Sequence, residues 1–202
     1  MSGSMVRGWG AFERFVEFER ESARVHVNQL GVLPALLQVA SYSAAIIGGI
    51  AGIAADDPGL IERVQARLRR TEAFRKRLEG PQRPHLWAVF DESALRRRVG
   101  GDKTMREQID HLRLMAEFDT VHLGIVPFTA GAYPGLGGSY EVHEHADGTA
   151  MVFFESAHAD EFVEGEPGGA RERQAGVEAL MASGAVVADP RDFLESLSRS
   201  LS

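Results

Sequence analysis

Apolar residues recur at helical spacing through the first third of the chain. Over residues 10–24, Phe12, Phe15, Val16, Glu19 and Ala23 share one stripe while Glu17, Arg20, Glu21 and Arg24 fall mostly outside it, which predicts an amphipathic helix. A short extended piece, Val25 to Val32, follows. Pro34 is suited to a first helical turn, and Leu36, Leu37, Ala40, Ala44 and Ile47 then predict a second helix. Asp57-Pro58 gives an N-cap followed by proline, starting a third helix from about Gly59 to Leu78 with Leu60, Ile61, Val64, Leu68 and Leu78 inward. After Gly80, Pro81 and Pro84 the period changes. Leu86 to Phe90 is apolar on both faces and predicts a strand inside a covered sheet. Asp91 to Val99 reads as a short helix or turn, and Thr104 with Glu107 as a capping box for a helix that points Ile109, Leu112, Met115 and Phe118 inward.

Strands are predicted over 120–128 and 139–145, the second turning through Ala146-Asp147-Gly148 into a strand over 150–155. The glycine-rich stretch 129–138 leads into a strand rather than a helix, so it is expected to be a mobile flap or wide hairpin connection, not a phosphate cradle. A short edge strand at Glu161–Glu164 and helices over about 170–182 and 190–201 complete the pattern. The predicted fold class is α+β: an N-terminal helical half over about 10–79, then a small, mostly antiparallel sheet packed by helices, in one domain.

Composition narrows the function classes. At 202 residues, 44% hydrophobic and 25% charged, the chain is one ordinary globular domain. The absence of Cys removes disulfides, thiolate nucleophiles and Cys-based metal sites, and fits a reducing cytoplasm. Residues 1–12 lack the features of a secretory signal, so no export is expected. From Val27 to Ala55 there is no charged side chain, but Asn28, Gln29, Pro34, Gln38, Ser41, Tyr42 and Ser43 interrupt it, predicting a buried helix rather than a membrane span. Net charge is −7, and no Lys or Arg lies between Arg113 and Arg171, an interval that holds ten acids. Polyanions are repelled there, which disfavours nucleic acid. The seven basic residues of the third helix read as a solvated face.

The candidate chemistry is imidazole and carboxylate. In a strand, His143 and His145 project side by side with Glu141 beside them, and Glu155 follows on the next strand. Spacing fixes no third metal ligand, so no metal and no cofactor are expected. Tyr133, in the glycine-rich loop, is placed to close over an apolar guest. His143, His145, Glu155 and Tyr133 are therefore the catalytic candidates. Gln38, Tyr42, Trp87, Phe90, Phe128, Tyr140 and Phe153 are candidates to line an apolar ligand cavity, with the alternative that they are core. Walker, dinucleotide, Gly-x-Ser-x-Gly and His-Glu-x-x-His patterns are absent.

An ordered series of segments carries a resemblance: Phe15-Val-Glu-Phe-Glu19 with Ser22-Ala-Arg24, Gly31-Val-Leu-Pro-Ala-Leu-Leu-Gln38 with Tyr42, and Arg63-Val-Gln-Ala-Arg-Leu-Arg-Arg70. It continues through Leu86-Trp-Ala-Val-Phe-Asp-Glu-Ser-Ala-Leu95, Val99-Gly-Gly101, Met105-Arg-Glu-Gln108, Val126-Pro-Phe-Thr-Ala-Gly131 and Phe154-Glu155. Together they resemble the C-terminal domain of actinobacterial antitoxin-like (WhiJ-type) helix-turn-helix regulators. That resemblance implies a sensing or partner-binding role. No helix-turn-helix unit precedes residue 10, so DNA binding by this chain alone is not expected. The expected function is a stand-alone module that binds an apolar small molecule or a partner protein, with a homodimer possible. The alternative is a cofactor-independent enzyme, a cyclase or isomerase of natural-product biosynthesis, using the same pocket.

Overall fold

The computed structural model describes residues 4–7, 9–154, 161–164 and 167–201. In chain order the elements are β1 (Ser4–Arg7), α1 (Trp9–Glu21), β2 (Arg24–Gln29), α2 (Ala40–Ala51), α3 (Pro58–Leu78), β3 (His85–Asp91), α4 (Glu92–Arg96) and α5 (Gly101–Met115). There follow β4 (Val121–Val126), β5 (Tyr140–Glu144), β6 (Ala150–Phe154), β7 (Glu161–Glu164), α6 (Pro167–Ala182) and α7 (Pro190–Ser200). The fold is α+β, around one seven-stranded mixed sheet in the order β1-β7-β6-β5-β2-β3-β4.

The boundary between a helical half and a sheet half is less clean than the periodicity implies. The extended piece after α1 is β2, the seam of the sheet. It runs parallel to β3, pairing Val25 with Leu86 and Val27 with Ala88, and antiparallel to β5, pairing Val25 with His143 and Val27 with Glu141. Five of its six residues are buried because both faces are covered, so the strand lacks the in/out alternation of a half-solvated sheet. One face, carrying Val25, Val27, Leu86, Ala88, Phe90 and Ile125, packs with Leu37, Tyr42, Phe74, Met105, Ile109 and Leu194 in the main core. The opposite face, with Val89 and Val126, is covered by Val177 and Leu180 of α6 and by Tyr133.

Two helix starts differ from expectation for identifiable reasons. After Pro34 only Ala35–Leu37 turns, as a 3-10 helix; Gln38 and Val39 are extended and α2 begins at Ala40. Gln108 on α5 holds this break open, its amide donating to Leu37 O at 2.7 Å and its Oε1 accepting from Val39 N at 2.8 Å. The capping box at Thr104 does not form, because α5 starts three residues earlier, after Gly100 at φ +70°. A Cβ on Gly100 would sit 2.9 Å from Thr104 Cγ2, so the threonine packs over the cap glycine instead of capping.

Candidate functional site

Alternation along β5 places Glu141 and His143 on the face beneath α1. His143 is fully buried, its Nε2 is 3.0 Å from Glu141 Oε2, and the Phe15 ring meets it edge-on at 5.0 Å between centroids. Glu19 of α1 enters the same cluster, held by Arg70 of α3 through Nε and Nη2, each 2.7 Å from a carboxylate oxygen. Burial pushes the Glu141 carboxyl up, but its bond to His143 and the charges of Arg70 and Arg67 outweigh this and leave it below the usual carboxylate range. Arg67 also donates to Gln38 Oε1 at 3.1 Å, which accepts Ser43 Oγ at 3.1 Å, while the Gln38 amide donates to Leu33 O at 2.8 Å.

One ligand atom from each of Glu19, Glu141 and His143 falls within 4.8 Å of the others. The Arg70 guanidinium already occupies both oxygens of Glu19, so this is a charge-compensated buried network rather than a vacant cation site. The signal for it was Glu19 itself, a carboxylate on the apolar stripe of the first helix.

The other catalytic candidates lie elsewhere. His145 stacks on Phe18 at 3.7 Å and its Nε2 is 2.9 Å from Phe18 O, closing the end of α1. Tyr133 is across the sheet, 8% exposed, donating to Asp91 Oδ2 at 3.3 Å; burial and then the Asp91 charge push its hydroxyl up to about 12. Glu155 lies outside the described residues. Among the described residues, His143, His145 and Tyr133 do not converge on a common space.

The aromatic set is equally dispersed, most of it falling on the core side of the two alternatives that its side chains leave open. Tyr42 and Phe90 are 0% exposed and Phe153 is 4%, filling the interior. Tyr42 OH accepts from Leu33 N at 3.2 Å, and Phe153 stacks on Phe15 at 4.0 Å. Gln38 belongs to the polar network, and Phe128 stands at the surface, 59% exposed. Trp87 is half-buried in a row of rings across β2, β3 and β4, 4.5 Å from His26 and 5.3 Å from His122. Of the seven, Tyr140 alone borders the cavity described next.

That cavity is a groove of about 260 Å³ between β5, α6 and a 3-10 turn at Pro134–Gly137, lined by Asn28, Pro134, Gly135, Tyr140, Glu172, Arg173, Gly176, Val177 and Leu180. Its loop wall is tied down, not free to flap. Buried Asn28 on β2 donates through Nδ2 to Gly135 O and Gly138 O, both at 2.8 Å, and Ser139 Oγ accepts from Leu30 N at 3.2 Å. A Cβ on Gly135 would lie 2.3 Å from Asn28 Oδ1, so the close approach requires glycine. On the facing wall, Gly176 leaves the space open, since a Cβ there would meet only Tyr140 Oη, at 3.7 Å. Arg173 holds its guanidinium 5.8 Å above the Tyr140 ring and 5.2 Å above Phe154, and its Nη1 donates to Gly169 O at 2.9 Å. Tyr140 OH donates to Arg173 O at 3.3 Å.

A family model described as a domain of unknown function, DUF5753, matches residues 12–196, from α1 into α7. The chain belongs to the DUF5753 family. No curated protein matches it. The DUF5753 match takes in both the buried network and the groove. No helix among the described residues of this DUF5753 domain is long and apolar enough to cross a membrane, and the uncharged stretch folds into β2, a 3-10 turn and the twelve-residue α2. The α6 wall is fixed to the sheet by polar contacts: His26 Nε2 is 3.0 Å from Glu178 Oε1, and the Gln174 amide donates to Glu144 Oε2 at 2.7 Å.

Proposed function

We propose that this DUF5753 domain is a ligand-binding module whose site is the groove between α6, the Pro134–Gly137 turn and β5, and that it acts as a sensing domain of the kind found in the antitoxin-like regulators its sequence resembles. The observation that carries the reading is the pairing of a rigid wall with a deliberate gap. Asn28 fixes the glycine turn through two buried hydrogen bonds, and Gly176 withholds a side chain from the opposite wall. A volume of about 260 Å³ is near the lower end of the range for small-molecule sites, roughly 300–1,000 Å³, and suits a compact guest. Among the described residues, the candidates His143, His145 and Tyr133 are sealed in the core or divided between the two sheet faces, which favours binding without turnover.

Filling the groove tests it. Gly176→Leu puts a side chain into the space without a backbone penalty, because the position is helical. In amide chemical-shift mapping with a fragment library, hits on the wild type should cluster around residues 28, 134–140 and 172–180 and vanish in Gly176→Leu, which melts no lower than the wild type. Hits that persist unchanged in that variant, or a library that never moves these amides, would refute the site.

A further inference from the structure

We infer that the groove selects a small monocarboxylate that also carries a hydrogen-bond donor, that is, a hydroxy or amino acid with a compact apolar body; this rests on the groove being the ligand site. Arg173 is the one cation among the lining side chains. Its guanidinium is held over Tyr140 and Phe154 and uses Nη1 on Gly169 O, and it has no carboxylate partner among the described residues. Arg70, Arg24 and Arg83 each have one, at 2.7, 2.5 and 2.9 Å. A guanidinium carries five N–H donors in a planar fork that matches a carboxylate, so an edge of Arg173 is left for a ligand anion.

The remaining polar side-chain functions in the groove accept rather than donate. Asn28 spends Nδ2 on Gly135 O and Gly138 O and packs its Oδ1 against the Gly135 backbone, so it offers a guest no free donor. The Tyr140 hydroxyl hydrogen points to Arg173 O, which leaves its lone pairs, and Glu172 contributes a carboxylate. A guest held by Arg173 thus meets acceptors among the other lining side chains, Tyr140 beside the guanidinium and Glu172 next along α6, where a hydroxyl or ammonium hydrogen fits and a second anion does not. Val177 and Leu180 supply the apolar side. The long-range field agrees: with net charge −7 and no Lys or Arg between Arg113 and Arg171, multiply charged anions are repelled, and a single local cation admits only a monoanion.

Three aryl probes of one size separate the components: mandelate, mandelamide and phenylacetate, titrated into the full chain by calorimetry with amide-shift mapping. Mandelate is expected to bind at least about tenfold more tightly than mandelamide, with phenylacetate between them. Arg173→Met should erase the preference for the acid, and Arg173→Lys, which keeps the charge but not the fork, should restore part of it; thermal melts of both variants establish that they are folded. Equal binding of mandelate and mandelamide, or an acid preference that survives in Arg173→Met, overturns the inference while leaving the groove as a site. Equal binding of phenylacetate and mandelate overturns the donor requirement. Failure of all three probes to move the groove amides overturns both this inference and the site itself.

Discussion

Replacing Arg70 with Met should be among the most damaging single changes in the core. The side chain is 7% exposed and Glu19, its partner, 5%, with two 2.7 Å contacts in bidentate geometry. At an effective dielectric near 20, opposite charges about 4 Å apart attract by roughly 4 kcal/mol. Removing one member of a buried pair is known to cost about 3–5 kcal/mol, since the survivor is left desolvated and uncompensated. Arg70 also lies 5.4 Å over Phe12 and 5.2 Å over Phe15, contacts that a thioether of similar length retains, so the loss isolates charge rather than packing. Urea unfolding of the wild type, Arg70→Met, Glu19→Leu and the double variant forms a closed cycle. Arg70→Met is expected to lose about 3–5 kcal/mol of a total near 5–15 kcal/mol, and the double variant to recover most of that loss. A single-variant loss below about 1 kcal/mol, or a double variant no more stable than the worse single, would refute the argument that this pair is coupled and buried.

Other expectations follow from the same geometry. Asn28→Ala removes both donors to the glycine turn and should cost about 1–3 kcal/mol, with hydrogen exchange accelerated selectively over residues 134–139; unchanged exchange there would mean the turn is held by something else. Gly176→Ala, mid-helix in α6 with no clash within 3.7 Å, should stabilise the fold by up to about 1 kcal/mol, read as a raised urea midpoint with the same slope. Burial holds the His26 imidazole below its ordinary value of 6.5, only partly offset by Glu178, so the folded state resists its protonation. A depressed imidazole contributes stability above the unfolded value that is lost as pH falls through 6.5 toward the lower folded value; His26→Gln should flatten the melting-temperature profile in that window, and an unchanged profile would remove His26 as the cause.

The elements were largely legible in the sequence because their signals are local. Asp57 accepts from Gly59 N at 2.7 Å as the Asp-Pro pair implies, and the turn at Asp147-Gly148 joins β5 to β6 as an antiparallel hairpin. Illegible features depended on residues distant in sequence. The break before α2 is set by Gln108, 69 residues beyond Val39, and the anchoring of the glycine loop by Asn28, 107 residues before Gly135. The candidate site was less legible for a related reason. Side-chain chemistry marks Tyr42, Phe90 and Phe153 equally as core or as lining, and only packing separates those roles. Arg173 and Gly176 carry no motif at all; what distinguishes them is that, among the described residues, no carboxylate forms an ion pair with the one and that the other has no side chain.

The seam position of β2 also governs the order in which the protein can be made. Arg24 and Glu144 are 120 positions apart, yet they sit opposite each other where β2 meets β5. A nascent chain that has produced α1, β2 and α2 therefore exposes two unsatisfied strand margins, one awaiting β3 and the other awaiting β5. Completion of the sheet waits on this late, distant pairing, which predicts slow acquisition of the native state.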